Sequence, residues 1–149
     1  MKDVYNFIQV DSELGTSGVV GADAFTALRR AGYEVVINLL PDESEYATAG
    51  EAGIVEELGM EYVYIPVDFA APTKENYADF AARLKAFRGK RVYAHCAANW
   101  RVSSFVALYG ERELGWTRTA ADALIEKAWG QPDAVWTAFL AEVRALPAL

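Results

Sequence analysis

Only one cysteine, Cys96, occurs in the 149 residues, so no intrachain disulfide can form and no multi-cysteine metal centre exists. Histidine is equally scarce, His95 standing alone. Zinc catalysis ordinarily draws three protein ligands from one cluster, so no metal and no cofactor are expected. No run of about 18 apolar residues is present, and no membrane span or membrane partner is expected. Met1-Lys2-Asp3 opens onto no apolar signal-peptide core, which makes a reducing cytoplasm the expected location. Excess positive charge is missing too. The net charge of −7 argues against a general nucleic-acid-binding surface, though it leaves room for a local basic pocket. No glycine-rich nucleotide fingerprint, internal repeat, low-complexity tract or long linker interrupts the chain.

What is present is apolar and patterned. Apolar residues make up 53% and charged residues 23% of the chain, a balance suited to one folded domain over residues 1–149. Tyr5–Val10 reads as a strand followed by the polar stretch Asp11–Ser17, and Gly21–Ala31 as a helix stopped by Gly32. Strands over Glu34–Leu39, Glu61–Ile65 and Arg91–Ala94 alternate with helices over Glu45–Leu58 and Asn76–Phe87. A helix through Val102, Phe105, Val106 and Tyr109, then helices over Thr117–Trp129 and Asp133–Leu146, complete the chain. This alternation requires crossover connections, hence an α/β three-layer sandwich: a mainly parallel central sheet flanked by helices, with a helical C-terminal part.

The chemistry concentrates where strand Val92–Ala94 runs into a helix through His95, Cys96, Ala97, Ala98, Asn99, Trp100, Arg101, Val102 and Ser103. Ligands in open α/β sheets bind beyond the C-terminal ends of the strands, and free amides at the following helix N-terminus favour an anion. Arg101 supplies a planar, permanently charged fork suited to phosphate or sulfate. Cys96 in that field is expected as a thiolate nucleophile. Trp100 either packs beneath the loop or forms a wall for a leaving group. Asp42, Glu43 and Glu45, just past a strand, read chiefly as solvated acids, with a place on the pocket rim as the alternative. Asp11 and Ser12 are weaker candidates for the same mouth.

These residues resemble the cysteine-dependent protein tyrosine and dual-specificity phosphatase superfamily, in particular its small bacterial dual-specificity-like branch. The likeness runs from Phe7 to Trp116 and includes Val35–Leu39 with the following Pro41-Asp42-Glu43. It also takes in Gly59-Met60-Glu61-Tyr62-Val63-Tyr64-Ile65-Pro66-Val67. The resemblance implies a phosphatase-like fold and a metal-independent hydrolase acting on a phosphorylated substrate, whose loop inorganic phosphate or sulfate can occupy. It assigns the nucleophile to Cys96 and the supporting histidine to His95. The general acid falls to Asp68, about thirty residues earlier, and Ser103 stands at the signature's serine.

The signature is atypical in one respect. Five residues usually separate cysteine and arginine in that superfamily, with serine or threonine directly after. Here four intervene, Ala97 to Trp100, so Val102 stands at the arginine position and Arg101 arrives one step early. Asn99 stands where glycine is common, and asparagine tolerates the left-handed conformation. Four intervening residues also resemble rhodanese-like sulfurtransferase loops, although Ala97-Ala98-Asn99-Trp100 fits those poorly and Asp68 would have no duty there. The functional readings are therefore phosphate monoester hydrolysis, sulfur transfer, or a non-catalytic oxyanion-binding or regulatory module.

Overall fold

The computed structural model describes residues 4–147. Five strands, β1 (Ile8–Gln9), β2 (Leu14–Ser17), β3 (Val35–Asn38), β4 (Glu61–Tyr64) and β5 (Val92–His95), form one sheet in the order β1-β2-β5-β3-β4. All neighbours are parallel except β1, which runs antiparallel to β2 at the edge. Six helices complete the order: α1 (Ala24–Arg30), α2 (Glu51–Glu57), α3 (Lys74–Ala86), α4 (Trp100–Glu113), α5 (Arg118–Ala128) and α6 (Ala134–Arg144). The expected α/β sandwich with a mostly parallel sheet is the observed one.

Alternation along the buried strands divides the interior in two. Val35, Ile37, Val92 and Ala94 face one core with Phe80, Phe105 and Trp136 from α3, α4 and α6. Val36 and Tyr93 face the other with Phe25, Leu28 and Val55 from α1 and α2. β5 lies between β2 and β3, so its C-terminal end opens at the middle of the sheet. Helix α4, which continues from it, is buried from Arg101 through Gly110.

Several element boundaries differ from those the sequence predicts. The first strand shrinks to Ile8–Gln9, and the polar stretch after it contains β2. Helix α2 begins at Glu51 rather than Glu45 because Gly50 adopts the left-handed conformation at φ 70°, and turns at Pro41–Ser44 and Ser44–Ala47 precede it. Helix α3 starts two residues early, since Thr73 and Asn76 form a reciprocal capping box with bonds of 3.0 and 3.1 Å. β5 extends through His95, one residue past the predicted strand end, in register with Asn38 of β3 and Ser17 of β2. No helix among the described residues is long and apolar enough to cross a membrane.

Candidate active site

The loop from Cys96 to Asn99 is fastened from outside. Val19 N donates to Ala97 O at 3.0 Å, and Asn6 Nδ2 donates to Ala98 O at 2.9 Å and Ala128 O at 2.7 Å. Asn99 Nδ2 donates in turn to Asn6 O and Thr16 Oγ1, both at 3.0 Å. Asn99 has φ 70°, so asparagine fills the left-handed place where the signature commonly carries glycine. Gly18 permits the close approach: a Cβ there would lie 2.5 Å from Ala97 O.

These restraints set where the free amides point. A trans peptide holds its N–H opposite its carbonyl, so with Ala97 O drawn outward the Ala98 amide faces inward. The first intrahelical bond of α4 is Ser103 N to Asn99 O at 3.0 Å. The amides of Trp100, Arg101 and Val102 therefore lack intrahelical acceptors and add to the positive end of the helix.

A cleft of about 940 Å³ opens above the loop. Cys96, Ala97, Ala98, Trp100 and Arg101 line it, and Asp68 enters from the segment after β4. Cys96 is wholly buried at its floor. The early arginine reaches the cleft, whereas Val102 packs into the core. Arg101 Nη1 donates to Val67 O at 2.9 Å, and its guanidinium carbon sits 5.5 Å from the Phe69 ring centre. The arginine thus grips the chain on both sides of Asp68 and keeps further N–H groups for a ligand.

Asp68 is exposed, and its Oδ1 accepts from Ala70 N at 2.9 Å. The next residue is locked: Trp136 Nε1 donates to Phe69 O at 2.8 Å. The Phe69 ring lies 6.0, 5.6 and 5.8 Å from Trp100, Trp129 and Trp136. Trp100 stacks on Trp129 at 5.0 Å and also lines the cleft.

Most of the other predicted residues lie off the cleft. Ser103 is buried, its hydroxyl donating to Trp100 O at 3.2 Å. His95 is buried on the α1/α2 side, its Nε2 lying 2.6 Å from Glu51 Oε2. Glu43 joins the rim, whereas Asp42 and Glu45 do not. Asp11 and Ser12 precede β2 and so sit at the opposite end of the sheet, where Asp11 Oδ1 accepts from Glu13 N and Leu14 N. Sequence reasoning missed Asn6, Glu51, Phe69, and the exposed Tyr5 and Tyr46 at the mouth. Only Phe69, adjacent to Asp68, carried a local signal.

Residues 8–129 match the family described as DSP-PTPase phosphatase fused to NAD+ kinase. The crystal structure of a putative phosphatase from Shewanella putrefaciens CN-32 is 35% identical, covers 97% of this chain and 94% of that one, and has a TM-score of 0.88. Tk-PTP in its active form shares the fold at a TM-score of 0.77, with 19% identity over 93% of this chain and 95% of its own. A beta-lactamase hydrolase-like protein of Xylella fastidiosa is 28% identical over 104 residues. That match takes in 68% of this chain and 24% of the relative, so the chain spans about a quarter of the curated protein it matches.

Proposed function

The chain belongs to the family of DSP-PTPase phosphatases found fused to NAD+ kinase, within the cysteine-dependent phosphatase superfamily, and we propose that it hydrolyses a phosphate monoester through a thiophosphate on Cys96. One observation carries the reading: Cys96, Arg101 and Asp68, drawn from two segments of the chain, line a single cleft over the free amides of α4. In the first step the Cys96 thiolate forms a bond to phosphorus as the ester P–O bond breaks. Asp68, protonated, gives its proton to the departing oxygen. Water then attacks phosphorus, the S–P bond breaks, and Asp68 takes the water proton. Arg101 and the loop amides hold the equatorial oxygens as negative charge spreads over them.

The mouth supports a substrate preference. Tyr5, Tyr46, Phe69 and Trp100 present aromatic surface, Glu43 and Asp68 contribute carboxylates, and Arg101 is the one cation among the lining residues. A single phosphoryl group on a flat or apolar body suits that lining better than a polyanion. Sulfur transfer finds no comparable support, because it would leave Asp68 without a role.

The test is metal-free hydrolysis of a small aryl phosphate. Cys96→Ser should abolish turnover. Asp68→Asn should lower kcat by at least about 10²-fold for the loss of general acid catalysis, and Arg101→Ala by about 10²- to 10³-fold for one lost oxyanion donor. Full activity in Cys96→Ser, or thiocyanate formation from thiosulfate and cyanide without phosphate release, would overturn the proposal.

A further inference from the structure

Behind the cysteine lies a buried histidine–glutamate pair that the proposed steps leave unused. Side chains alternate across a strand, so His95 turns to the α1/α2 face while Cys96 turns to the other core. His95 Nε2 meets Glu51 Oε2 at 2.6 Å, and the two side chains are 2% and 5% exposed.

The neighbouring strands and α1 bring uncharged side chains to this face of the sheet. β2 brings Ser17, whose hydroxyl donates to Gly18 O. β3 brings Asn38, which donates to Tyr62 Oη at 3.0 Å and accepts from Leu40 N. On β4, burial, with Glu51's charge adding, pushes the Tyr62 phenol up to about 12, so it is uncharged near neutrality. α1 contributes the edge of Phe25 at 6.2 Å from the imidazole. On β5 itself, burial likewise raises Tyr93 and keeps it protonated. Among the described residues Glu51 has no ion-pair partner except His95.

The dependence runs in both directions. A carboxylate buried without a partner is strongly disfavoured, and His95 is the partner Glu51 has. On the ring, Nδ1 is buried with no partner among the described residues, so Glu51 supplies the ring's one hydrogen bond. We propose that Glu51 is a positioning residue: through its hydrogen bond with His95 Nε2 it fixes the imidazole in one orientation behind Cys96, and so supports the thiolate. The inference deepens the proposed function and rests on Cys96 being its nucleophile. Glu51 touches no substrate, and its whole effect passes through His95.

The chain's single histidine and single cysteine make the test unambiguous. Glu51→Gln keeps the shape and a hydrogen-bond acceptor but removes the charge. Alkylation of Cys96 by iodoacetamide, taken at about pH 6 relative to its plateau near pH 9, should fall about tenfold in Glu51→Gln for the loss of one neighbouring charge effect. An alkylation profile that Glu51→Gln leaves unmoved overturns the proposal. Because alkylation needs no turnover, the two readings separate. A shifted profile in a protein that hydrolyses no aryl phosphate retains the Glu51 role and sinks the phosphatase. Cys96-dependent turnover with an unmoved profile does the reverse.

Discussion

At the scale of single residues, the site shows how an arginine that arrives one step early still reaches the cleft. Arg101 sits at the start of α4, and its side chain reaches back to Val67 O, the residue before Asp68. Val102, next along, points into the core. Trp100 and Arg101, the first two residues of the helix after the left-handed turn at Asn99, both line the cleft. Tyr62 illustrates a different residue-scale effect. Its phenol is pushed up to about 12, chiefly by burial, while an unfolded tyrosine ionises near 10. The unfolded chain therefore loses this proton first. The stability conferred by keeping the phenol neutral is complete below about pH 10 and is lost as pH rises toward 12. Tyr62→Phe should make that alkaline decline shallower, read from urea midpoints against pH. It should also lower stability near neutrality by about 1 kcal/mol for the hydrogen bond from Asn38. An unchanged alkaline slope would contradict the assignment.

At the scale of elements, the C-terminal helices hold the segment that carries Asp68. Trp136 on α6 bonds Phe69 O, and Trp129 at the end of α5 stacks against Trp100. The segment carrying Asp68 is thereby tied to elements remote in sequence. Trp136→Phe retains most of the packing but removes the indole N–H. It should destabilise the fold by about 1 kcal/mol and lower kcat more than it raises KM, because Asp68 loses its fixed position. A change in KM alone would contradict that role. This tie was not legible in the sequence, where the helices read only as cover for the sheet. β2 was hidden for a related reason. Leu14-Gly15-Thr16-Ser17 has little strand character, and it is buried because Tyr33 packs so closely that a Cβ on Gly15 would lie 2.4 Å from the Tyr33 hydroxyl. By contrast, the apolar run Val35-Val36-Ile37 and the stripe along α3 marked their elements directly. The loop from Cys96 to Arg101 was legible because a local signature carries it, whereas Asp68 was named only through the family resemblance, by its position about thirty residues earlier. The Glu51–His95 pair was not, since 44 residues separate its partners and no local pattern marks a buried glutamate as one half of a pair.

For the whole molecule, the charge balance opposes the site. The chain carries a net charge of −7, while the proposed substrate is an anion held by Arg101 and the amides of α4. Screening at moderate salt acts over about 10 Å, weakening long-range repulsion more than contacts within the cleft. Raising inert salt should therefore increase kcat/KM for an aryl phosphate by less than about tenfold, with phosphate and sulfate avoided because they compete for the loop. A steep fall with salt would reveal basic steering that this surface does not provide. The same balance accords with a substrate bearing one phosphoryl group. The central claim remains the covalent step on Cys96. The most direct measurement is the mass of the protein quenched in acid during turnover of an aryl phosphate, with the modified residue located by peptide mapping. The account expects one phosphoryl group on Cys96, more abundant in Asp68→Asn if its second step is slowed more than its first. Turnover that proceeds with no adduct and survives Cys96→Ser would contradict it.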